Sequence, residues 1–310
     1  MENPFIITGK IKPEYFCDRQ QEAERIISKV TNGENLVLMA ARRVGKSKLI
    51  DFCLDKPAIK DHFIGISIDI LRTSSINEFT FELGKAVFEQ AARRGTKMLK
   101  MVVNTLKTIN GCFGYDPISN TPTFSLSLGD ISNPIYTLEE IFSCLEKADK
   151  KCIVAIDEFQ QIGYYPEKNM EAILRTYIQQ CNNANFIFSG SERHLISKMF
   201  SEKAHPFYNS ADMMYLEVIP LDKYTEFCER LFHKFGKDIS KEAIAKVYEI
   251  FEGNTYYMQK VVHEAFNQTD VANEANVEMM ENIIQSMVLD NDHKFSELLS
   301  RLTLPQKELL

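Results

Sequence analysis

The sequence predicts an α/β protein with a mostly parallel sheet covered by helices on both faces, followed by an all-helical domain. In residues 1–219, short apolar runs bounded by turn residues alternate with amphipathic helical segments. From Pro220 onward the apolar spacing is helical only. Short buried strands that alternate with helices are typical of parallel sheets, because a parallel connection needs a crossover segment and the helices then cover both faces.

The strands are predicted from apolar runs, and the helices of this first region from periodicity and capping residues. Asp18 with Gln21 has the pattern of a capping box, and Thr137 with Glu140 repeats it. The clearest helix covers about 168–182, where apolar side chains recur on one face. The five predicted strands cover residues 36–40, 63–70, 152–156, 185–188 and 213–218.

The second region is predicted to contain four helices. They cover about 221–235, 240–252, 255–267 and 276–290, and Gly253 lies where the residue after a helix C-cap belongs. We therefore predict domains at 1–219 and 220–299. A stretch rich in Gly, Pro, Asn and Ser at 108–134 contains a period-two run, Thr123–Leu128, which indicates a small inserted hairpin.

Composition limits the function classes. The 310 residues are 45% hydrophobic and 25% charged, with a net charge of −7, which gives no general attraction to nucleic acid or to an anionic membrane. Seven cysteines without a C-x-x-C pair indicate reduced thiols and a cytoplasmic location. No apolar run approaches the roughly 20 residues of a membrane helix, so we expect no membrane partner.

A phosphate-binding loop is predicted between the first strand and the next helix. The pattern G-x-x-x-x-G-K-[ST] fits residues 40–47, except that Ala40 replaces the first glycine. In this pattern backbone N–H groups surround the phosphates, the lysine reaches them and the hydroxyl binds Mg²⁺. We expect the loop to tolerate the single Cβ at Ala40. The predicted nucleotide-binding residues are Arg42, Arg43, Val44, Gly45, Lys46, Ser47 and Lys48.

Two acids follow the third predicted strand. Asp157 and Glu158 lie at its carboxyl end, the edge at which open α/β sheets bind ligands. Asp157 would share Mg²⁺ with Ser47, and Glu158 would act as general base towards water. Alone, the pair is more typical of a strand that ends at the surface, where acids are common. The phosphate-binding loop upstream favours the catalytic interpretation.

Serines follow the fourth predicted strand. Ser189 and Ser191 could hydrogen-bond a γ-phosphate or its attacking water. A plain strand-to-helix turn with serine as the helix cap fits this local sequence equally well.

With these motifs in order, the chain resembles the archaeal-type P-loop ATPases of the STAND group, within or beside the AAA+ class. The resemblance covers nearly the whole chain, and its most specific stretches are Arg42–Lys46 and Ile156–Gln160. It implies an ATPase domain binding ATP and Mg²⁺, a helical lid, and a C-terminal winged helix of which 300–310 would be the start. We therefore expect the natural protein to continue. It also implies Ser191 as the sensor residue and an adenine pocket near Phe16–Arg19.

Two departures from that family affect the expected activity. Relatives carry an arginine before the fifth strand, whereas residues 206–210 here contain none. Because an arginine finger contributes about 10³–10⁵ in turnover, we predict slow hydrolysis. Arg193 is a candidate substitute, although an ordinary helix-surface arginine fits this position better. Relatives also have Gly-x-Pro in the lid, where this chain has Gly253–Thr255.

Three functions fit this sequence. The first is an ATPase that works as a nucleotide-driven switch, and the second is a scaffold that binds ATP and a protein client without hydrolysis. The third is an ATPase that associates with DNA through the missing C-terminal module. The expected small-molecule partners are ATP and ADP in each case.

Overall fold

The computed structural model describes residues 3–9, 11–108, 113–116, 121–124, 131–303 and 306. The chain divides into two compact units. One comprises Arg19–Glu217, and the other combines Met1–Asp18 with Val218–Leu310. Each unit has its own hydrophobic core. In the described residues no helix combines the length and apolar character that crossing a bilayer requires.

The sheet of the Arg19–Glu217 unit is five-stranded and parallel. The described residues contain nine strands: β1 (Leu36–Ala40), β2 (Ile64–Asp69), β3 (Phe113–Asp116), β4 (Thr121–Phe124), β5 (Cys152–Asp157), β6 (Ala184–Gly190), β7 (Asp212–Leu216), β8 (Asp238–Ile239) and β9 (Glu274–Ala275). The sheet has the order β2-β5-β6-β1-β7 with every pair parallel. All residues of β1, β5 and β6 are buried, as expected of central strands covered on both faces. The predicted fold class is confirmed.

Eight helices accompany this sheet in the described residues. They are α1 (Gln20–Thr31), α2 (Lys46–Asp55), α3 (Pro57–Lys60), α4 (Ile76–Arg94), α5 (Thr96–Thr105), α6 (Pro134–Glu146), α7 (Met170–Gln180) and α8 (Arg193–Ser201). Their apolar faces cover the strands in a core with tilted and edge-on phenylalanines such as Phe159, Phe188 and Phe207.

The capping box predicted at Thr137 and Glu140 does not form, because Thr137 lies inside a helix, and the helix predicted after Asp18 begins at Gln20. α1 follows Arg19, which has left-handed backbone and no side-chain cap. α6 begins earlier than predicted, at Pro134, because Asn133 accepts a hydrogen bond from the Tyr136 N–H at 3.3 Å. A proline in the first helical position has its φ already set for a helix and lacks an N–H that would need a partner.

The second unit is mainly helical. It contains α9 (Leu221–Lys234), α10 (Lys241–Phe251), α11 (Thr255–Gln268), α12 (Val277–Asp290) and α13 (Asp292–Ser300). The prediction of helices alone was incomplete here, because the two-residue strands β8 and β9 pair in parallel. Gly253 follows the C-cap of α10 with φ of 74°, and its N–H bonds to Tyr248 O.

The N-terminal segment belongs to this helical unit, whereas the sequence analysis grouped it with the sheet. The Phe5 ring packs against Phe227, Phe232 and Phe266 at centroid distances of 5.8, 5.5 and 5.7 Å. His263 Nδ1 lies 2.7 Å from the Phe5 carbonyl oxygen. A single apolar residue such as Phe5 has no periodic pattern, so the sequence does not reveal which hydrophobic core it joins.

Within the 108–134 insertion, β3 and β4 form an antiparallel pair. Residues 125–128 of the predicted period-two run lie outside the described residues. Most of the predicted winged-helix start, 304–305 and 307–310, lies outside them as well.

Candidate functional site

The loop between β1 and α2 has two residues with left-handed backbone. Arg43 has φ of 68° and Gly45 has φ of 90°, directly before the first helical residue, Lys46. Ala40 is the last residue of β1, is fully buried and pairs with Leu216. Its backbone is therefore extended, a conformation in which a Cβ causes no strain. The absent first glycine costs this loop nothing in conformation.

Lys46 lies between the two acids that follow β5. Its ammonium donates to Asp157 Oδ1 and lies 3.2 Å from Glu158 Oε1. Both Lys46 and Asp157 are 6% exposed. A buried charge is tolerated where an opposite charge and hydrogen bonds compensate for lost hydration, and this arrangement supplies both.

Two hydroxyl groups complete the surroundings of Asp157. Ser47 Oγ donates to Oδ2, and Ser189 Oγ donates to Oδ1 at 2.7 Å. Burial opposes ionisation of this carboxyl, but Lys46 and the hydroxyls outweigh it and hold the pKa of Asp157 below its usual value. Asp157 is therefore an anion at neutral pH.

Glu158 is held by donors that converge on one of its oxygens. Its backbone is left-handed, with φ of 58°. Oε2 accepts from Ser191 Oγ at 2.7 Å, from Ser191 N at 3.2 Å and from Gln160 Nε2 at 2.7 Å. Burial acts against ionisation, yet Lys46 and these donors keep the pKa of Glu158 below the ordinary glutamate value. This places an ionised, oriented carboxylate beside the phosphate-binding loop.

The other predicted nucleotide-binding residues differ in their exposure and in the contacts they make. Arg42 is exposed, and its Nε lies 3.4 Å from Ser191 Oγ. Val44 is buried, whereas Arg43 is exposed. Lys48 lies 3.8 Å from Asp51, one turn further along α2.

Arg193 is not part of the acid cluster. It is the exposed first residue of α8, and within the described part of the chain it makes no hydrogen bond or ion pair with Asp157 or Glu158. In contrast, the structure brings together Lys46, Ser47, Asp157, Glu158 and Ser191.

The sequence analysis assigned no role to Gln160. The side chain is 2% exposed and hydrogen-bonds the carboxylate of Glu158. The signal was present: a glutamine two residues after the second acid, in the specific stretch Ile156–Gln160. A helix-like turn at that point, the 3-10 helix Phe159–Tyr164, brings the amide back towards the acid.

The side chains fit a Mg²⁺-bound nucleotide. Ser47 and Asp157 present adjacent oxygen atoms, the ligand type that Mg²⁺ prefers. The first-turn N–H groups of α2 have no intrahelical partner and, with the helix dipole, favour an anion at this position. Lys46 adds a positive charge to the same position.

The comparisons with known proteins agree with this geometry. Residues 16–261 match the family described as an ATPase domain predominantly from Archaea. The chain belongs to this family. With the fold and the loop described above, this makes it a P-loop ATPase. Among curated protein sequences, none matches the chain.

Solved structures of other ATPases of this class share the fold. A Walker-type ATPase of Pyrococcus abyssi superposes with a TM-score of 0.67 at 20% identity, over 98% of this chain and 81% of that one. The ORC2 protein of Aeropyrum pernix gives 0.58 at 12% identity, over 92% and 71%. The ORC1 protein of the same organism, solved with DNA, gives 0.60 at 9% identity, over 97% and 73%. At these identities the likeness concerns the fold alone.

Proposed function

We propose that this P-loop ATPase binds Mg·ATP at the Lys46 site, hydrolyses it slowly, and changes the state of its helical unit according to the nucleotide bound. The position of Lys46 between Asp157 and Glu158 is the observation that carries the proposal. It assembles a phosphate-binding cation, a metal ligand and a general base within hydrogen-bond reach of one another.

Binding would redirect Lys46. Together the β- and γ-phosphates carry more negative charge than either carboxylate, and the N–H groups at the start of α2 are aimed at the same position. The Lys46 ammonium would then bond to phosphate oxygens. Ser47 and Asp157 would hold Mg²⁺, which neutralises charge on the phosphates.

Glu158 would act on water. Once Lys46 bonds to phosphate, Oε1 is available to accept a hydrogen bond from a water molecule, while Oε2 stays bonded to Ser191. An ionised carboxylate fixed in this way can orient the water and take its proton as it attacks the γ-phosphate. A positioned general base contributes about 10²–10⁴ in rate.

The positions of the arginines support the proposed slow turnover. The stretch 206–210 has no arginine, and Arg193 lies exposed at the start of α8. An arginine finger at that position would contribute about 10³–10⁵ in turnover, so its absence there favours slow hydrolysis. Slow hydrolysis suits a switch, because each nucleotide state then persists.

The division of the chain into two compact units supports the proposal that the protein is a switch. The helical unit has its own core and is covalently joined to the sheet unit at residues 18–19 and 217–218. Units with separate cores can respond to a ligand as bodies. Hydrogen exchange of α9–α12 with and without Mg·ATP tests this component, and equal protection in both states would contradict it.

Phosphate release under single-turnover conditions tests the catalytic component. Wild type should release phosphate slowly, and Glu158→Gln should abolish release while nucleotide stays bound. Retained nucleotide without release, unchanged by Glu158→Gln, would instead identify an ATP-binding scaffold.

Association with DNA is a second candidate, favoured by the fold shared with a protein solved on DNA. The net charge of −7 opposes it for residues 1–310. Fluorescence anisotropy with duplex DNA over a salt series checks it. Salt-dependent binding by a longer chain, together with none by 1–310, would place DNA binding in a C-terminal module.

A further inference from the structure

Gln160 is a buried polar residue beside the acid cluster. The side-chain hydrogen bond described for it goes to Glu158. Gln160 lies in the 3-10 turn that follows β5 and is 2% exposed. Its Nε2 donates to Glu158 Oε2 at 2.7 Å. The amide orientation follows from this partner, because the reversed amide would place its oxygen against a carboxylate oxygen.

The other end of the amide has no comparable contact. In the part of the chain that the structure describes, Gln160 Oε1 is buried without a hydrogen-bond partner. A buried acceptor without a partner is unfavourable for folding, so stability alone would favour methionine or leucine here. The glutamine is therefore explained by what its Nε2 does for Glu158.

Gly190, which has no side chain, leaves the space that the Gln160 amide occupies. A Cβ added at Gly190 would lie 2.2 Å from Gln160 Oε1 and 3.0 Å from Ile196 Cδ1. The Gln160 side chain thus occupies the space that any larger residue at 190 would fill. Because Gly190 ends β6 and Gln160 follows β5, the pairing of these strands sets the position of the amide.

We propose that Gln160 is a positioning residue for Glu158, an inference that rests on the proposed function. Gln160 and Ser191 direct three N–H or O–H donors to Oε2, whereas the one hydrogen bond given for Oε1 among the described residues comes from the Lys46 ammonium. The two residues hold the carboxylate in one orientation. Oε1 is consequently the oxygen presented to water when Lys46 bonds to phosphate.

Gln160→Met tests the proposal, because methionine keeps the length of the side chain and lacks the donor. We expect kcat for phosphate release to fall roughly ten- to a hundredfold, part of the contribution of a positioned base. KM and the Kd for Mg·ATP should not change, since the hydrogen bond described for Gln160 goes to Glu158 and not to a phosphate-binding residue. A purely structural role would not separate kcat from binding in this way.

Gln161→Met is the matched control. This neighbouring glutamine donates to the Thr73 carbonyl at 3.0 Å, away from the acids, so its kcat should equal that of wild type. Gly190→Ala offers a second route, because its Cβ displaces the Gln160 amide. It should lower kcat with Mg·ATP binding kept, and Gln160→Met carries the test if this variant does not fold.

Comparison of Gln160→Met with Glu158→Gln distinguishes the two levels of the proposal. If Glu158→Gln abolishes release and Gln160→Met keeps wild-type kcat, the positioning role is wrong and the proposed function stands. If Glu158→Gln leaves release unchanged, the proposed function itself fails. A raised KM with unchanged kcat in Gln160→Met, or an equal loss in Gln161→Met, would also overturn the positioning role.

Discussion

Lys46 compensates for the charge of two buried carboxylates. Asp157 and Glu158 are adjacent in sequence, and both side chains are mostly shielded from water. Two anions so close, without a cation, repel each other in a medium that screens charge weakly. The loop lysine therefore stabilises the fold as well as serving the proposed chemistry.

Replacing Lys46 by methionine keeps most of the side-chain volume and removes the charge. Breaking a buried ion pair on one side typically costs about 3–5 kcal/mol, so we expect a loss of this size at pH 7. Urea unfolding of both proteins measures it. A difference near zero would show that hydration, rather than Lys46, compensates for these carboxylates.

The same difference should depend on pH. Burial disfavours both anions, but Lys46 leads the effects that lower the pKa values of Asp157 and Glu158 below their ordinary 3.8 and 4.5. Their contribution to stability is present above the unfolded-state pKa and is lost as pH falls through the lowered folded-state values. Wild type should therefore lose its advantage over Lys46→Met below about pH 4. A pH-independent difference would contradict the electrostatic account.

At this site, some functional residues could be predicted from the sequence, whereas a contact between two of them could not. Lys46, Ser47, Asp157 and Glu158 were predicted, because a phosphate-binding loop and paired acids are local patterns. The contact of Ser189 with Asp157 depends on the register of β5 against β6, in which Ile156 lies beside Phe188. Tertiary pairing decides that register, so a local pattern could not reveal it.

At the scale of elements, the end of α10 depends on a glycine. Gly253 has left-handed backbone, and a Cβ there would lie 2.9 Å from Val218 Cβ and 3.0 Å from the Tyr248 hydroxyl. Tyr248 is held in place because its hydroxyl donates to the Ile219 carbonyl. The side chain therefore cannot move away without losing that bond.

Gly253→Ala should destabilise the protein by about 1–3 kcal/mol, from left-handed strain together with this close contact. Gly163→Ala is the matched control, since its Cβ would meet nothing within 4 Å and its φ is not positive. The control should change stability by less than about 0.5 kcal/mol. Thermal unfolding compares the two. Equal effects would mean that α10 does not need glycine at its end.

The sequence predicted the bounds of several helices closely, but not the order of the strands in the sheet or the shortest strands. The periodic segments gave α7 and α9–α12 close to their observed bounds, because an amphipathic face is visible in the chain itself. The sheet order β2-β5-β6-β1-β7 was not predicted, since it depends on contacts between distant segments. Two-residue strands such as β8 and β9 are too short to leave a pattern.

Across the whole molecule, the cysteines give a test of both cores. Burial raises the pKa of Cys53, Cys144 and Cys152 to about 12, and raises that of Cys228 well above its ordinary value. Raised thiol pKa values mean neutral, unreactive groups at pH 7 to 8.

These four thiols should resist a thiol reagent in the native protein and react once it is unfolded. Mass spectrometry after alkylation, with and without denaturant, identifies each site. Cys17 is only half-buried and serves as the internal comparison. Rapid native labelling of Cys152 would contradict the burial of β5, and rapid labelling of Cys228 would contradict the core of the helical unit.

Thermal unfolding with and without Mg·ATP, for wild type and Lys46→Ala, tests the central claim most directly. At about 100 times Kd, a ligand that binds only the native state adds about 2.7 kcal/mol. The wild-type Tm should then rise by several degrees, at roughly 2–4 °C per kcal/mol. Lys46→Ala should begin from a lower Tm and show no rise. Equal rises in both proteins would contradict nucleotide binding through Lys46, and so would no rise in either protein when denaturation releases no bound ATP or ADP.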